Sequence, residues 1–322
     1  ILDAGNLLFK KETLGPGTPT EIAKMTAEII ITAFNGIGCH AFSPGSKDFA
    51  AGLGFVQEMQ MLANFPFISA NIQDSNGNRL FDPYLIADVE GISVGIIGLA
   101  SNFAHSEVFV QDPIEALAEL VNEVGIQSDV LILMFDSQEA DIIKLQTSGY
   151  PIDLVIRSKS KTRSQDGGKQ NIPAYSCGDR GKYLYQFDLT ISDSGELVDL
   201  AVYENQISQA EKKLNKMRQG NLMADLRSLY QDDPQTLKKI DAYESQIESA
   251  KQALEQGGNT IQLNKHELAK TVTDRPDILR IVDNGKSKRD QLFGPQPPSG
   301  TPPGTNQKHI GHDHDGDGIP DH

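Results

Sequence analysis

The sequence predicts an α/β domain that is followed by an antiparallel helical hairpin, and two observations lead to this prediction. Residues 1–203 alternate short β-rich runs with helical patterns, which is typical of a mixed, layered domain. From residue 204 onwards the apolar residues instead repeat at intervals of three and four, which is typical of packed helices. With 322 residues and 38% hydrophobic content, the chain is long enough to bury a stable core.

Within the first segment, short apolar runs predict strands, and most of these runs lead into Gly, Ser or Asn. The strand candidates are residues 2–4, 40–42, 67–70, 93–99, 130–135, 153–156 and 174–177. Helices are predicted to begin near Thr20 and at Asp112-Pro113, where capping residues precede apolar positions with a helical period. Residues 183–191 and 197–203 are interpreted as a closing β-hairpin.

The second segment, residues 204–258, is predicted to form the helical hairpin. Its apolar positions are Ile207, Ala210, Leu214, Met217, Leu237, Ile240, Ile247 and Leu254. This stripe needs a partner, because an isolated helix of such length is marginal in water. The other arm, the preceding domain, or a protein partner or second copy of the chain would each provide one. Residues 259–294 then predict a short strand and helix, residues 295–308 a Pro/Gly linker, and residues 309–322 an Asp/His-rich tail.

Composition excludes several classes of function. The chain has 29 Lys and Arg against 44 Asp and Glu, a net charge of −15, which disfavours binding to nucleic acid. No apolar run approaches the roughly 20 residues that span a bilayer, so we expect no transmembrane segment. Cys39 and Cys177 lack metal-ligand or haem spacing, and whether they pair depends on the fold. Ile1 opens directly into a strand pattern, so we expect the sequence to begin inside a fold.

Six motifs occur in an order that resembles one family. They are Leu-Asp-Ala-Gly-Asn at 2–6, Pro-Gly-Ser-Lys-Asp-Phe at 44–49, Phe-Pro-Phe-Ile-Ser-Ala-Asn-Ile at 65–72, Val-Gly-Ile-Ile-Gly-Leu at 94–99, Ile-Asp-Leu-Val-Ile at 152–156 and Gly-Asp-Arg-Gly-Lys-Tyr-Leu at 178–184. This order, over residues 1–203, resembles the periplasmic 5′-nucleotidases and their calcineurin-like metallophosphoesterase relatives. The resemblance implies two mixed β-sheets sandwiched by helices, with a two-metal centre at the strand ends.

In that family the metals are held by Asp, His and Asn, and they activate a bridging hydroxide that attacks phosphorus. The resemblance implies that the equivalent positions here are degenerate. Gly5-Asn6 stands where the family has Gly-Asp, residues 45–48 where it has Gly-Asn-His-(Asp/Glu), and residues 157–160 where it has Gly-His-x-His. The hydrophobic strand 130–134 leads to Phe135-Asp136 where the family has a His. The degenerate active-site positions are therefore Asn6, Ser46, Lys47, Asp136, Ser158 and Ser160.

Because most metal-binding side chains have changed, we expect no dinuclear transition-metal centre and no catalytic residues. The cations Lys47, Arg157, Lys159 and Lys161 would instead bind a phosphate or sulfate anion, or form a solvated basic loop. Asp48 and Asp136 lie among these cations, so we expect ion pairs first. His40 and His105 lie outside the matching ligand positions.

The tail contains the pattern Asp-x-Asp-x-Asp-Gly-x-x-Asp, which predicts a calcium loop. Alternating carboxylates followed by Gly let a chain wrap a hard cation. The predicted ligands are Asp313, Asp315, Asp317, the carbonyl of Ile319 and Asp321. The motif resembles the calcium-binding type 3 repeats of thrombospondin, and one incomplete copy predicts weak, roughly millimolar binding that suits an extracellular setting. A disordered acidic tail is the alternative.

Three functional hypotheses follow. The first is an exported, non-catalytic binding or structural protein, periplasmic or at the cell surface, built on a metallophosphoesterase-like scaffold. The second is a divergent metal-dependent phosphoesterase or 5′-nucleotidase that hydrolyses phosphate esters. The third is a phosphate- or sulfate-binding module that uses the basic loop at 157–163.

Overall fold

The computed structural model describes residues 1–160, 163–164, 172–192, 195, 197–255 and 258–296. Its strands are β1 (Leu2–Asp3), β2 (Ala41–Phe42), β3 (Ile72–Gln73), β4 (Tyr84–Val89), β5 (Ile92–Ala100), β6 (Phe109–Val110), β7 (Val130–Asp136), β8 (Leu154–Ser158), β9 (Ala174–Tyr175), β10 (Tyr183–Thr190), β11 (Val198–Asp199) and β12 (Thr260–Glu267). Its helices are α1 (Thr18–Ile37), α2 (Leu53–Leu62), α3 (Pro113–Ile126), α4 (Glu139–Gln146), α5 (Leu200–Met217), α6 (Leu226–Leu229), α7 (Pro234–Glu255) and α8 (Pro276–Phe293).

A five-stranded sheet with the order β4-β5-β7-β8-β9 forms the centre of the fold. Strands β5, β7, β8 and β9 run parallel, and β4 is antiparallel at one edge. Every residue of β7 is buried, because helices α3 and α4 cover one face of the sheet and other strands cover the opposite face. The carboxyl ends of β7 and β8 therefore lie side by side, at Asp136 and Ser158.

A second sheet with the order β10-β12-β11 packs on that opposite face, where Ile261 and Leu263 join the same core as Ile96 and Met134. The short pair β1–β2 also contributes to this core through Ala4 and Ala41. The predicted fold class, with mixed sheets flanked by helices, is confirmed.

The predicted β-hairpin of residues 183–191 and 197–203 is wrong. Strand β10 pairs antiparallel with β12 along its whole length, while β11 pairs parallel with β12. The chain after β11 turns into helix α5, because the Asp199 side chain accepts the backbone N–H of Ala201 and caps that helix. Residues 200–203 are therefore helical, and a strand from much later in the chain fills the middle of the sheet.

Other predicted strands match closely, with one exception. Residues 67–70 form isolated bridges at Phe67 and Ile68, and the named strand follows at β3. The capped start at Asp112 is confirmed, since its side chain accepts the backbone N–H groups of Ile114 and Glu115. Cys39 and Cys177 are both free thiols.

Helices α5 and α7 pack against each other around Leu214, Leu226 and Ile240, so their apolar stripe is used within the chain. Helix α8 packs back onto α1, where Arg275 donates to the carbonyl of Gly36 at 2.7 Å. Within the described residues, no helix is long and apolar enough to cross a membrane. The segment boundaries predicted from composition stay predictions, and the tail at 309–322 lies outside the described residues.

Candidate functional site

The candidate site lies where the loop after β1 crosses the ends of β7 and β8. Gly5 and Asn6 both adopt left-handed backbone conformations, with φ of 113° and 63°. A side chain at Gly5 would lie 2.7 Å from the carbonyl oxygen of Ser43 and 2.9 Å from the nitrogen of Gly45. Only glycine allows this close approach, which brings the Asn6 side chain over the central sheet.

The Asn6 carboxamide joins three segments of the chain. Its Nδ2 donates to Oδ1 of Asp136 at 2.6 Å and to Oγ of Ser158 at 3.3 Å. Its Oδ1 accepts the backbone N–H of Lys47 at 2.9 Å. Because a backbone N–H can only donate, it fixes the orientation of the amide, and the NH₂ group must face Asp136.

Asp136 is fully buried, and both of its oxygens have partners. Besides Asn6, Oδ1 accepts the hydroxyl of Ser158 at 2.8 Å, and Oδ2 accepts the backbone N–H of Ser46 at 2.9 Å. A side chain at Gly45 would lie 2.7 Å from Oδ2, so the backbone itself packs against the carboxylate. These contacts leave Asp136 enclosed by donors.

Asp48 is the second fully buried carboxylate, and it holds the backbone of two loops. It accepts the N–H groups of Asn6 at 2.7 Å, Leu8 at 2.8 Å and Gly45 at 2.8 Å. Burial raises the pKa of Asp48 to about 7, against the lowering effect of these hydrogen bonds. Among the described residues neither Asp48 nor Asp136 forms an ion pair, so the ion pairs expected with Lys47, Arg157 and Lys159 are absent, and backbone, amide and hydroxyl donors bind the two carboxylates.

The predicted anion-binding cations differ in the partners that their side chains contact. Arg157 is occupied, because its Nε donates to Ser137 Oγ and its Nη2 to Glu139, both at 2.9 Å. Lys159 has a left-handed φ of 62°, and its Nζ lies 3.4 Å from Oγ of Ser46. Lys47 is half-buried at the same loop, and Lys161 lies outside the described residues.

The structure thus brings Asn6, Ser46, Asp136 and Ser158 into one network, with Lys47 joining through its backbone. The backbone N–H of Ser160 donates to the carbonyl of Ser158 in a tight turn. Sequence reasoning missed Glu12, whose carboxylate accepts the Ser46 hydroxyl at 3.0 Å. Nothing in the sequence marks this exposed residue. It also missed Ser137, although that residue directly follows Asp136.

A dinuclear metal centre does not fit these residues. Among the described residues, no group of three or more His, Cys, Asp or Glu side chains is placed to hold a metal ion. The NH₂ group of Asn6 donates to Asp136 and Ser158, and an amide nitrogen of this kind is a hydrogen-bond donor that would not bind a metal ion. The predicted calcium ligands, residues 313–321, lie outside the described residues.

Part of the chain is similar in sequence to 5′-nucleotidases, and its fold is similar to that of a solved phosphoesterase. No family model matches the chain. A 5′-nucleotidase of Vibrio cholerae is 36% identical over 96 residues, which cover 30% of this chain and 17% of that protein. The protein UshA of Escherichia coli is 31% identical over 97 residues, which cover 30% of this chain and 18% of that protein. The chain therefore spans less than a fifth of the length of these curated relatives.

Among solved structures, the calcineurin-like phosphoesterase YfkN of Bacillus subtilis has a TM-score of 0.59 at 17% identity, covering 91% of this chain and 84% of that one. A 5′-nucleotidase structure from Staphylococcus aureus, itself titled putative, has a TM-score of 0.50 and covers 59% of this chain and 42% of its own. The fold is that of the calcineurin-like metallophosphoesterases. The predicted resemblance to the 5′-nucleotidase N-terminal metallophosphoesterase family is confirmed.

Proposed function

We propose that this chain is a non-catalytic, metallophosphoesterase-like protein that acts in binding or structural assembly outside the cytoplasm. The observation that carries the proposal is the Asn6 carboxamide, which donates to Asp136 and Ser158, three residues whose positions the sequence resemblance aligns with the family's metal ligands. Two-metal hydrolysis needs an anionic group that bridges the cations and a hydroxide between them. Here hydrogen bonds between protein groups join Asn6, Ser46, Asp136 and Ser158.

The network supports the non-catalytic proposal because both buried carboxylates already accept hydrogen bonds from other groups of the protein. Asp136 accepts from Asn6, Ser158 and Ser46, and Asp48 accepts three backbone N–H groups. Opening it for a cation would leave buried donors without acceptors, each at a cost of about 1–3 kcal/mol. The scaffold therefore holds its loops together with protein donors and acceptors.

Metal analysis and hydrolysis assays test the proposal together. After purification without added metal and dialysis against manganese, zinc or iron, we expect no stoichiometric metal. With AMP and an aryl phosphate diester as substrates, we expect the same background rate for the wild type and for Lys47→Ala. Two bound metals, with hydrolysis that falls at least tenfold in Lys47→Ala, would instead establish the divergent phosphoesterase that the similarity to 5′-nucleotidases favours.

Calcium binding by residues 313–321 is a second part of the proposal, supported by the spacing of the Asp residues and the Gly. Calorimetric titration of the full chain should show weak binding, roughly millimolar, that is lost in Asp315→Asn/Asp317→Asn. The matched control Asp232→Asn/Asp274→Asn removes two exposed carboxylates elsewhere and should keep it. Binding in this range suits an exported protein, and equal binding by both variants would contradict the assignment.

An anion site rests on a narrower basis than the sequence predicts, because Arg157 is already paired. Lys159 lies beside Ser46, and its ammonium group is able to donate to a phosphate or sulfate oxygen, whereas the Ser46 hydroxyl already donates to Glu12. Calorimetric titration with inorganic phosphate should lose its heat signal in Lys159→Ala and keep it in the exposed control Lys10→Ala. A signal that is equal in both variants would place the anion elsewhere.

A further inference from the structure

Strand β4 forms one edge of the five-stranded sheet. It pairs with β5 on one side and is the last strand of the sheet on the other. Just before β4 begins, the N–H of Ser69 donates to the carbonyl of Asp82 at 2.9 Å on this outer side. Among the described residues, no strand or isolated bridge pairs with the outer side of residues 84–88. We call residues 84–88 the β4 edge.

The register of β4 determines which of its backbone groups point outward. Hydrogen-bonded and non-hydrogen-bonded pairs alternate along an antiparallel ladder. The N–H of Gly98 donates to the carbonyl of Pro83 at 3.3 Å, so this pair is of the hydrogen-bonded kind. In the same register, Tyr84, Ile86 and Asp88 fall between such pairs, and their N–H and C=O groups face away from β5. The β4 edge therefore offers three donors and three acceptors to an added strand.

The β4 edge lacks most of the features that usually protect the edge of a sheet. The strand contains no Lys and no Pro, and its pairing with β5 continues without a bulge. Its single charged side chain is Asp88. Ile86 is 38% exposed and Val89 is 53% exposed. A regular and partly apolar edge of this kind is a template for a further strand.

The surroundings of the β4 edge are acidic. Residues 80–143 contain 12 Asp and Glu and no Lys or Arg. Asp82, Glu90 and Glu123 are exposed, and none of them takes part in an ion pair within the described part of the chain. Glu123 lies beside the edge, because it accepts the hydroxyl of Tyr84 at 2.8 Å. The edge therefore favours a strand that carries positive charge.

We propose that the β4 edge binds an extended, basic segment of a partner protein as an additional strand. The outward backbone groups of Tyr84, Ile86 and Asp88 hold the segment, which is the mode of recognition by strand addition. Lys or Arg side chains of the segment meet the acidic residues around the edge. This role goes beyond the proposed function and does not depend on the Asn6 network.

The chain itself is a poorer occupant of the β4 edge. If two copies paired through the same outward groups, Asp82 of one copy would approach Glu90 of the other, and facing like charges destabilise a strand pair. The tail at 309–322 has four Asp and no Lys or Arg. The cation that precedes the acidic stretch, Arg79, is already paired with Glu119 at 2.9 Å. A basic segment from outside the chain therefore complements this edge best.

Fluorescence anisotropy of the full chain with a labelled peptide of alternating Lys and Val tests the proposal. We expect binding at low salt that weakens as salt screens the charges. A peptide with Glu in place of Lys should not bind. A peptide whose central Val is replaced by Pro should also fail, because Pro removes a backbone donor and disfavours the added strand.

Two pairs of variants separate the backbone contribution from the charge contribution. Ile86→Pro removes an outward N–H at a site where an edge strand tolerates Pro, and it should weaken peptide binding about tenfold or more. Ile86→Thr keeps that N–H and should bind within about threefold of the wild type. Asp82→Asn/Glu90→Asn should weaken binding about threefold or more, whereas the exposed control Asp232→Asn/Asp274→Asn should not change it. Circular dichroism verifies folding of each variant.

Amide hydrogen exchange measured by NMR determines where the peptide binds. In the free chain, the amides of Tyr84, Ile86 and Asp88 should exchange fast, while those of Leu85 and Ala87, which face β5, should exchange slowly. The peptide should slow exchange at the three outward amides. The proposal is overturned if the peptide does not bind, if it binds without slowing these amides, or if Ile86→Pro binds it as the wild type does. A wild-type dimer that Ile86→Pro abolishes in sedimentation would also overturn it, because the edge would then take a second copy.

Discussion

Asn6 differs from an aspartate by an NH₂ group in place of one carboxylate oxygen, and this NH₂ group is the one that donates to Asp136. In Asn6→Asp an oxygen replaces the nitrogen that lies 2.6 Å from Asp136. A second negative charge at the half-buried position 6 then meets the fully buried Asp136, so we expect the free energy of unfolding at neutral pH to fall by about 2–4 kcal/mol. The loss should be smaller in acid, where the pair holds a proton. Urea denaturation at several pH values measures both effects.

The control for this substitution is Asn102→Asp, which introduces the same charge at an exposed position. It should change stability by less than about 0.5 kcal/mol. If Asn6→Asp were instead as stable as the wild type at neutral pH, the close contact between residue 6 and Asp136 would not exist as described, and the proposal would lose its main support.

Asp3 provides a second prediction at this scale. Burial raises its pKa from 3.8 to about 6. Between these values the folded protein binds more protons than the unfolded chain, so its stability falls as the pH rises through this range. Asp48 acts in the same direction, because burial raises its pKa to about 7. In Asp3→Asn the free energy of unfolding should fall less steeply between pH 3.8 and about 6, and the total fall over this range should be smaller by on the order of 1–3 kcal/mol.

Urea midpoints at a series of pH values measure this slope, and the exposed Asp232→Asn is the matched control. The variant Asp3→Asn keeps an oxygen that is able to accept the backbone N–H of Gly5, as Oδ1 of Asp3 does. A slope identical to that of the wild type would show that Asp3 does not titrate in this range.

Sequence comparison with the family indicated which residues would meet at the site, because strand ends carry the motifs. It did not indicate how they meet. The ion pairs expected for Asp48 and Asp136 depended on charge alone, whereas the fold presents backbone N–H groups of Leu8, Gly45 and Ser46 to the carboxylates. Backbone positions of this kind depend on loop conformation, and side-chain type carries little information about it.

At the scale of elements, the contact between α1 and α8 depends on a glycine. A side chain at Gly285 would lie 2.4 Å from Cγ1 of Ile29 and 2.8 Å from its Cδ1. In a helix Ala is normally favoured over Gly by about 1 kcal/mol. Here we expect Gly285→Ala to destabilise the protein by about 1–3 kcal/mol, because the two helices must separate.

Gly125→Ala is the matched control, since Gly125 lies in α3 and an added side chain would meet nothing within 4 Å. It should leave stability unchanged or raise it by up to about 1 kcal/mol. Thermal denaturation distinguishes the two variants. Equal gains in both would show that the α1–α8 contact is looser than the structure describes.

Elements with a strong local signal were predicted well, and those defined by distant pairing were not. Strands β5 and β7 are continuous apolar runs, and both occur where the sequence predicts them. The hairpin of β4 and β5 was missed, although Glu90 and Gly91, with φ of 54° and 87°, form its two-residue turn. The place of β12 between β10 and β11 joins residues about 75 positions apart, which periodicity cannot report.

At the scale of the whole molecule, residues 258–296 pack against two earlier parts of the chain, strand β10 and helix α1. Strand β12 gives β10 an antiparallel partner over eight residues and buries Ile261 and Leu263 in the core between the sheets. Helix α8 then returns to the N-terminal region and covers α1. The end of the described chain therefore stabilises its beginning.

This arrangement predicts a graded response to truncation. A chain that ends at residue 255 lacks β12, so β10 loses its partner and the core loses two large apolar side chains; we expect no cooperative unfolding transition. A chain that ends at residue 273 keeps β12 and, of the helices and strands given above, lacks only α8. It should unfold cooperatively at a lower urea concentration than the full chain, because Ile29 and its neighbours on α1 become exposed. Cooperative unfolding of the shorter chain at the midpoint of the longer one would contradict this account, since the central position of β12 would then contribute nothing to stability.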